Sequence, residues 1–581
     1  MYNCFFNQGI LIAMKFKNLN LSIIDLKLTF VVMIIAGCGF IYQYLLASYS
    51  SRIVGSFETV IFTIMTIMVF FMGLGAFVAK HFKNKFLAFS ILESVIGIVA
   101  ITNIFVISGA NALANELPQI ISDIFGVDLN LFMQFGWVSN VQEFLDYSSY
   151  LMAAILGLLI GMEIPLLASI REELFKHKKL ENNIGVIYGV DYIGGAIGAM
   201  LWIYVLLKHE IQDSIQIVSI TNVIVGFIFI LMFYKHIKKI KTALCVQILT
   251  TIFIFSAGSI IGDWQYFLQN SMYKDKLVYS ENTQFQNFAV TESYNHVTKE
   301  YRHSLFINGH TQFSDSDEGI YHSLLVYPAL ISSGLPDDVL IIGGGDGLAA
   351  RDVLRSNPKS VTLLDLDPRL VEFFQKPHYD DKNIQINKFF IELNEGAFSD
   401  ERVSFLFGDA YLNIKKLLSN NRKFGTIIID LPDPSHPDLN KLYSFEFYSI
   451  LYQLLENNGA IAIQSGAPYA AKKAFISIGK TLQASGFHTQ QYQHIVPSFN
   501  GQWGWTIGVK SLPSVKYRLA SIKEMPIDDE WLTKGKMLST FEFGKNYYKD
   551  IDKIDVNTID NNKTYLYYTD AWTGLTRSAF E

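Results

Sequence analysis

Cysteine is scarce in this chain of 581 residues, and so is charge. The three cysteines, Cys4, Cys38 and Cys245, all stand in the first half, so the second half has neither a disulfide framework nor zinc-ligand spacing. Only 17% of the residues are charged and the net charge is −6, which gives no basic surface for a polyanion. No cluster of lysines interleaved with aromatics marks a phosphate track, and nucleic acid is excluded as a partner. Lysine and arginine are missing altogether from the 39 residues Ala110 to Ser148. What remains is long and greasy: three or more folding units by length, with 50% apolar content that leans toward a membrane protein.

That lean is uneven. The residues up to about Gly262 hold long uncharged runs, whereas the remainder reads as an ordinary soluble domain rich in charge and turns. Seven runs are long and apolar enough to span a bilayer: Leu28 to Leu46, Val60 to Val78, Phe86 to Ser108, Tyr150 to Ala168, Ile184 to Leu207, Ile215 to Tyr234 and Ala243 to Ile261. The earlier stretch Phe5 to Met14 is too short to span and lacks a signal-peptide cleavage site. Gly157 with Gly161 and Gly194 with Gly198 have the four-residue spacing of close helix packing. Glu93, Glu163 and Asp191 lie inside these runs. Each is either functional or paired within the bundle, because an unpaired charge there costs several kcal/mol.

Charge asymmetry orients the runs. Lys15, Lys17 and Lys27 precede the first; Lys80, Lys83 and Lys85 follow the second; Arg171, Lys176, Lys178 and Lys179 follow the fourth; Lys235, Lys238, Lys239 and Lys241 follow the sixth. Against these fourteen, the opposite connections carry only Arg52 and Lys208. The positive-inside rule therefore places the N-terminus in the cytoplasm and, after seven crossings, the soluble part outside.

The soluble part opens on short β-rich runs between Tyr279 and Phe313, FAVTESY and HSLFINGHTQF among them, which predict a small antiparallel sheet. A helix over DEGIYHSLLVYPAL follows, and then VLIIGGGDGLAARDVLRSNPKSVTLLDLD, Val339 to Asp367. An apolar strand, a glycine turn at Gly343, Gly344, Gly345, Asp346 and Gly347, a helix and a second strand ending in acids form half of a doubly wound αβ unit. Such a turn also occurs as a plain tight turn. Here further strands, VSFLF, TIIID and AIAIQ, each precede a helical pattern, so the sequence predicts a Rossmann-like, methyltransferase-type sheet. In these sheets the ligand binds at the carboxyl ends of the strands. Those ends carry Gly343 to Asp346, Asp365 with Asp367, Gly408 with Asp409, Asp430 with Asp433, and Gln464, an accumulation of acid that solvated surface does not explain. The expected division is an N-terminal segment 1–27, a membrane domain 28–262 of about seven helices, a small β-rich part 263–330, the Rossmann-like domain 331–510 and a C-terminal extension 511–581.

The succession QFQ, NGHTQFSDSDEGIYH, GGGDG, LLDLDP, GDA, DLPDPSHP, LYSFEFY and IQSGAP resembles the spermidine synthases, or polyamine aminopropyltransferases, in order and spacing. FFMGLGAF and GLLIGMEIPLL, with the tail FEFGKNYYKDIDKIDVNTIDNNKTYLYY, look like the multi-pass membrane branch of that family. The resemblance implies transfer of an aminopropyl group from decarboxylated S-adenosylmethionine to putrescine, giving spermidine and methylthioadenosine. The donor is a substrate, and neither a cofactor nor a metal is implied. By similarity Gln286 contacts the nucleoside, Gly343 and Gly345 admit the donor, Asp365 holds the ribose, Asp409 with Ala410 reads the adenine, and Pro437 lines the same pocket. Asp346 faces the donor's ammonium. The chemistry of the turn agrees, since an aspartate there repels the carboxylate of intact S-adenosylmethionine and attracts a bare ammonium. Tyr321, His322, Asp433 and Gln464 are expected to line the diamine channel, with Asp430 as proton acceptor, supported by Tyr321.

Three departures from the family pattern bear on the acceptor. Ser323 stands where glutamate is usual in YHE, Asp365 where glutamate is common, and DLPDP replaces a more polar DSxDP. Acceptor identity is therefore less constrained than donor identity. Two readings from other classes stay open: a transporter or sensor whose soluble domain binds a nucleoside, with Glu93, Glu163 and Asp191 as its pathway, and an S-adenosylmethionine-dependent methyltransferase. A homo-oligomer is compatible with the sequence. The expected location is the cell membrane. The side facing the catalytic part stays open, the cytosolic origin of the substrates being weighed slightly above the charge count.

Overall fold

The computed structural model describes residues 23–54, 57–125, 141, 144–145, 147–175, 180–209, 211–273, 275–283, 285–379, 382–499 and 501–578. The short run Phe5 to Met14, most of the basic-free segment between 126 and 146, and Lys15, Lys17, Lys176, Lys178 and Lys179 lie outside the described residues. The chain forms two compact units, one ending at Met272 and one beginning at Tyr273.

The first unit is helical: α1 (Ile23–Val54), α2 (Phe57–Ala79), α3 (Lys85–Phe125), α4 (Ser148–Leu174), α5 (Leu180–Tyr204), α6 (Ile211–Phe233) and α7 (Ile240–Met272). All seven are long and apolar enough to cross a membrane. Each contains one of the apolar runs, except that the fifth run outlasts α5 into a short helical turn, Leu206–Lys208, and the sixth outlasts α6 by Tyr234 alone. Helix α7 continues past Gly262 to Met272, because nothing in DWQYFLQNSM breaks it. Small residues bring backbones together. A β-carbon on Gly161 of α4 would stand 2.1 Å from the Met72 carbonyl of α2, and one on Gly194 of α5 would stand 2.2 Å from the Met33 carbonyl of α1. Arg171 differs from its reading as a loop charge. It lies in the last turn of α4, buried, with Nε and Nη2 on the Asp25 carboxylate at 2.9 and 3.1 Å.

The second unit begins with β1 (Lys276–Asn282), β2 (Asn287–Asn295), β3 (Glu300–Ile307) and β4 (His310–Ser314), a four-stranded antiparallel sheet in sequential order. Helix α8 (Glu318–Ser333) leads into the main sheet, whose seven strands run in the order β10-β11-β9-β8-β5-β6-β7. The parallel core consists of β5 (Asp338–Gly343), β6 (Ser360–Asp365), β7 (Val403–Phe407), β8 (Phe424–Asp430) and β9 (Leu455–Gln464). Ile341, Ile342, Ile428, Ile429, Ile461 and Ile463 are all fully buried, as strands covered on both faces must be. At one edge β10 (His488–Val496) and β11 (Gly501–Val509) close the sheet antiparallel.

The helices that position the site are α9 (Leu348–Leu354), α10 (Pro368–Gln375), α11 (Ala410–Ser419), α12 (Phe445–Leu454), α13 (Lys472–Ala484) and, in the C-terminal extension, α14 (Lys563–Ser578). Strand order reverses between β5 and β8, the adjacent parallel pair from which the chain winds outward in both directions. A crevice opens at the carboxyl ends of such a pair.

Candidate active site

The glycine turn is dictated by its neighbour. Gly343 ends β5 with φ of +84°, and a β-carbon there would lie 1.9 Å from the carbonyl oxygen of Asp430 at the end of β8. Only glycine lets the two strand ends come this close. The turn then presents Asp346, whose carboxylate accepts a hydrogen bond from the Leu348 amide at 2.9 Å.

Asp346 meets Asp430 and His322, their ligating atoms all within 4.8 Å of one another. Tyr321 donates its hydroxyl proton to Asp430 Oδ1 at 2.6 Å, and His322 Nε2 stands 4.0 Å from Asp430 Oδ2. The other ring nitrogen, Nδ1, faces Glu318 Oε2 at 3.0 Å, and Arg351 grips that same Glu318 carboxylate with two nitrogens at 2.8 and 3.0 Å. Burial opposes charge on His322, yet the hydrogen bond and charge of Glu318 override it and push the imidazole up to about 9. Burial likewise works against Glu318, which His322 and Arg351 nevertheless hold down at about 2. An imidazolium has no lone pair for a metal, so the trio is a cation acceptor built around an internal cation.

Burial pushes Asp346 up to about 6, with His322 opposing and Asp430 adding to the rise. Asp430 is raised by burial against the same His322. Burial and the adjacent Asp430 raise Tyr321 well above its ordinary value, so it stays a neutral donor.

The donor half follows β6 and β7. Asp365 accepts from the Asp367 amide at 2.8 Å, and a β-carbon on Gly345 would meet its second oxygen at 2.8 Å, so the turn lies directly on this carboxylate. Burial raises Asp365 to about 6. Gln286, from the β1–β2 connection, donates to Asp367 Oδ2 at 3.1 Å, beside Thr283 at 2.7 Å on the same oxygen. Asp409 caps α11 through the Leu412 amide at 2.9 Å and pairs with Lys441 at 2.5 Å, which ties Ala410 to the turn that begins at Pro437.

The acceptor half follows β8 and β9. Gln464 donates to Asp433 Oδ1 at 2.8 Å and to the Leu431 carbonyl at 3.0 Å, while its own oxygen accepts from the Gly466 amide at 2.6 Å. Tyr568 of α14 hydrogen-bonds Asp433 as well. Burial pushes Asp433 up to about 6 against these two donors.

The family description "Spermine/spermidine synthase domain" matches residues 318–518. A polyamine aminopropyltransferase of Shewanella oneidensis is 40% identical over 548 residues, covering 94% of this chain and 95% of that protein. Polyamine aminopropyltransferase 1 of Streptomyces coelicolor is 30% identical over 498 residues, covering 84% and 85%. The chain belongs to the polyamine aminopropyltransferase family. A crystal structure of spermidine synthase in complex with the transition-state analogue AdoDATO aligns at a TM-score of 0.41 with 20% identity, over 48% of this chain and 90% of that one.

This aminopropyltransferase uses residues that sequence reasoning passed over. Glu318 and Arg351 set the charge of His322, and the spacing of Glu318 four residues before His322 on one helix was a signal for the first of them. Lys441 occupies Asp409 and Tyr568, the last residue of the tail that resembles the membrane branch, occupies Asp433, neither of them singled out from the sequence as a site residue. Ser323, where the family pattern has glutamate, donates at 2.8 Å to Asp529 of the C-terminal extension. An acid therefore neighbours that position after all, supplied from 206 residues away.

Proposed function

We propose that this enzyme transfers the aminopropyl group of decarboxylated S-adenosylmethionine to putrescine or a closely related diamine, and that its seven-helix unit holds it in the cell membrane. The observation that carries the reading is the convergence of Asp346, Asp430 and His322 within 4.8 Å, at the mouth of the glycine turn. Asp346 takes the donor's ammonium, a position that a carboxylate-bearing donor cannot share. Asp365 receives the ribose hydroxyls close to the backbone of Gly345, which compensates for its being one methylene shorter than glutamate. Gln286 borders the nucleoside, and Ala410 with Pro437 flanks the adenine. Recognition by the Asp409 carboxylate requires Lys441 to yield one oxygen.

On the acceptor side, Asp433, oriented by Gln464 and Tyr568, anchors the distal ammonium. Asp430 and Tyr321 orient the attacking amine, with the charge of His322, 4.0 Å away, opposing the rise that burial imposes on Asp430. The amine nitrogen attacks the propyl carbon next to the sulfonium. A C–N bond forms, the C–S bond breaks, and its electron pair stays on sulfur as the neutral thioether of methylthioadenosine. An alkylammonium near 10.4 and a free aspartate near 3.9 differ by about 9 kcal/mol in water, so Asp430 is no strong base. It accepts the proton as the C–N bond forms, when that proton becomes acidic.

The test is turnover by the purified full chain with putrescine and either decarboxylated or intact donor. Spermidine and methylthioadenosine from the decarboxylated donor are expected. Absence of turnover with any diamine overturns the proposal, and methyl transfer from the intact donor identifies a methyltransferase instead.

A further inference from the structure

The helical unit treats its buried acids in two ways. Asp25 is neutralised by Arg171 in a close ion pair. Glu93 of α3 and Glu163 of α4 have no such partner: 0% and 5% exposed, they face each other, and among the described residues no lysine, arginine or histidine reaches them. A carboxylate can only accept, so a hydrogen bond between two carboxyl groups requires a proton on one of them.

The surroundings are arranged for that proton. Asn222 of α6, fully buried, donates to Glu93 Oε2 at 3.0 Å, while Glu93 Oε1 is buried without a donor, a place that a proton shared with Glu163 would fill. The carbonyl oxygen Oδ1 of Asn222 is buried beside the pair without a donor. The ionisable groups facing the pair are Cys38 and Tyr42 from α1 and Asp191 from α5, none of them cationic. From α7, Gln247 brings only an amide, bonded to Ser94, and α2 has no ionisable residue between Thr59 and Ala79. Acceptors outnumber donors here, and a cation is what such a site lacks. A proton needs no cavity.

We propose that Glu93 and Glu163 form a proton-binding site inside the helical unit, sharing one proton between them, with Asp191 as an outlying carboxylate. The inference rests on the unit being embedded in lipid. Resistance of the chain to alkaline carbonate extraction reads that premise separately.

Dicyclohexylcarbodiimide, an apolar reagent that consumes a protonated carboxyl group, tests the site on the full chain in lipid nanodiscs, with adducts located by peptide mass spectrometry. One adduct per chain is expected, on Glu93 or Glu163 but never on both. Its rate is expected to fall about tenfold per pH unit once the proton begins to leave. Asp191→Asn should move that fall to lower pH while preserving the adduct. Glu93→Gln with Glu163→Gln should abolish it in a chain that elutes and turns over as the wild type does. The absence of an adduct on either glutamate, two adducts on one chain, or a rate indifferent to pH each overturns the proposal.

Discussion

At the residue scale, the crevice keeps acids in a state that only a cationic substrate relieves. Asp346 and Asp433 are both pushed up to about 6 by burial, above the ordinary value of about 3.8. The sign follows directly. A group whose folded value is raised favours the fold below its unfolded value and loses that contribution as pH rises through the folded value, so near neutrality these carboxylates are ionised at a cost. In the proposed site the donor's ammonium at Asp346 and the diamine's at Asp433 offset the cost by supplying the missing charge. Below about 6 Asp433 is protonated and cannot hold an ammonium, so kcat/KM for the diamine is expected to climb with pH through that value in a rate profile. A profile flat between pH about 5 and about 8 would contradict this assignment. Asp430 has a distinct task. Asp430→Asn preserves shape and the Tyr321 contact while removing the proton acceptor, and kcat is expected to fall by about 10²–10⁴ with KM for the donor nearly unchanged. Retention of most activity would remove Asp430 from the mechanism.

At the scale of elements, the C-terminal helix α14 adds a side chain to a site otherwise built from strand ends and helix α8. It is seated on α13 through Thr564 and Ser477, whose hydroxyls are 3.0 Å apart, and projects Tyr568 onto Asp433. Removing the hydroxyl in Tyr568→Phe leaves Asp433 with Gln464 alone, a loss of about 1 kcal/mol. The expected result is a rise of roughly fivefold in KM for the diamine, with kcat and KM for the donor held. A change in kcat alone would mean that α14 acts on packing and not on the acceptor. This element also marks where the sequence stops being legible. Strands β5, β6, β8 and β9 are readable because burial on both faces makes them continuous apolar runs, and the acids at their ends follow from the topology. Asp346, Asp365, Asp430 and Gln464 could therefore be placed in advance. Strands β10 and β11 could not, since QQYQH alternates polar residues around a buried Tyr492. Nor could Tyr568 or Asp529, because nothing local in the extension says which strand end or helix it folds back upon.

At the scale of the whole molecule, the helices were plain in the sequence because each is an apolar run long enough to cross a bilayer, whereas the charge between them was partly misread. Arg171 is buried against Asp25 and leaves the tally, so thirteen basic residues now stand against Arg52 and Lys208. Under the positive-inside rule that imbalance favours a cytoplasmic side for the N-terminus and for the connections after α2, α4 and α6, if the helices cross a membrane. The alternative, catalysis on the same side as the N-terminus, needs an even number of crossings. The most polar candidate for removal is α5, which contains Asp191, but Gly194 and Gly198 bring it against the backbone of α1 at Met33 and Gly37. Backbone contact at two points one turn apart makes α5 a packing partner of α1, which argues for an odd count. A reporter fused after Glu581 reads the result. Alkaline phosphatase, active only outside the cytoplasm, is expected to work there, and a fluorescent protein that matures only inside is expected to stay dark. The converse pattern would show that one helix turns back without crossing, and would put the crevice where its substrates are made.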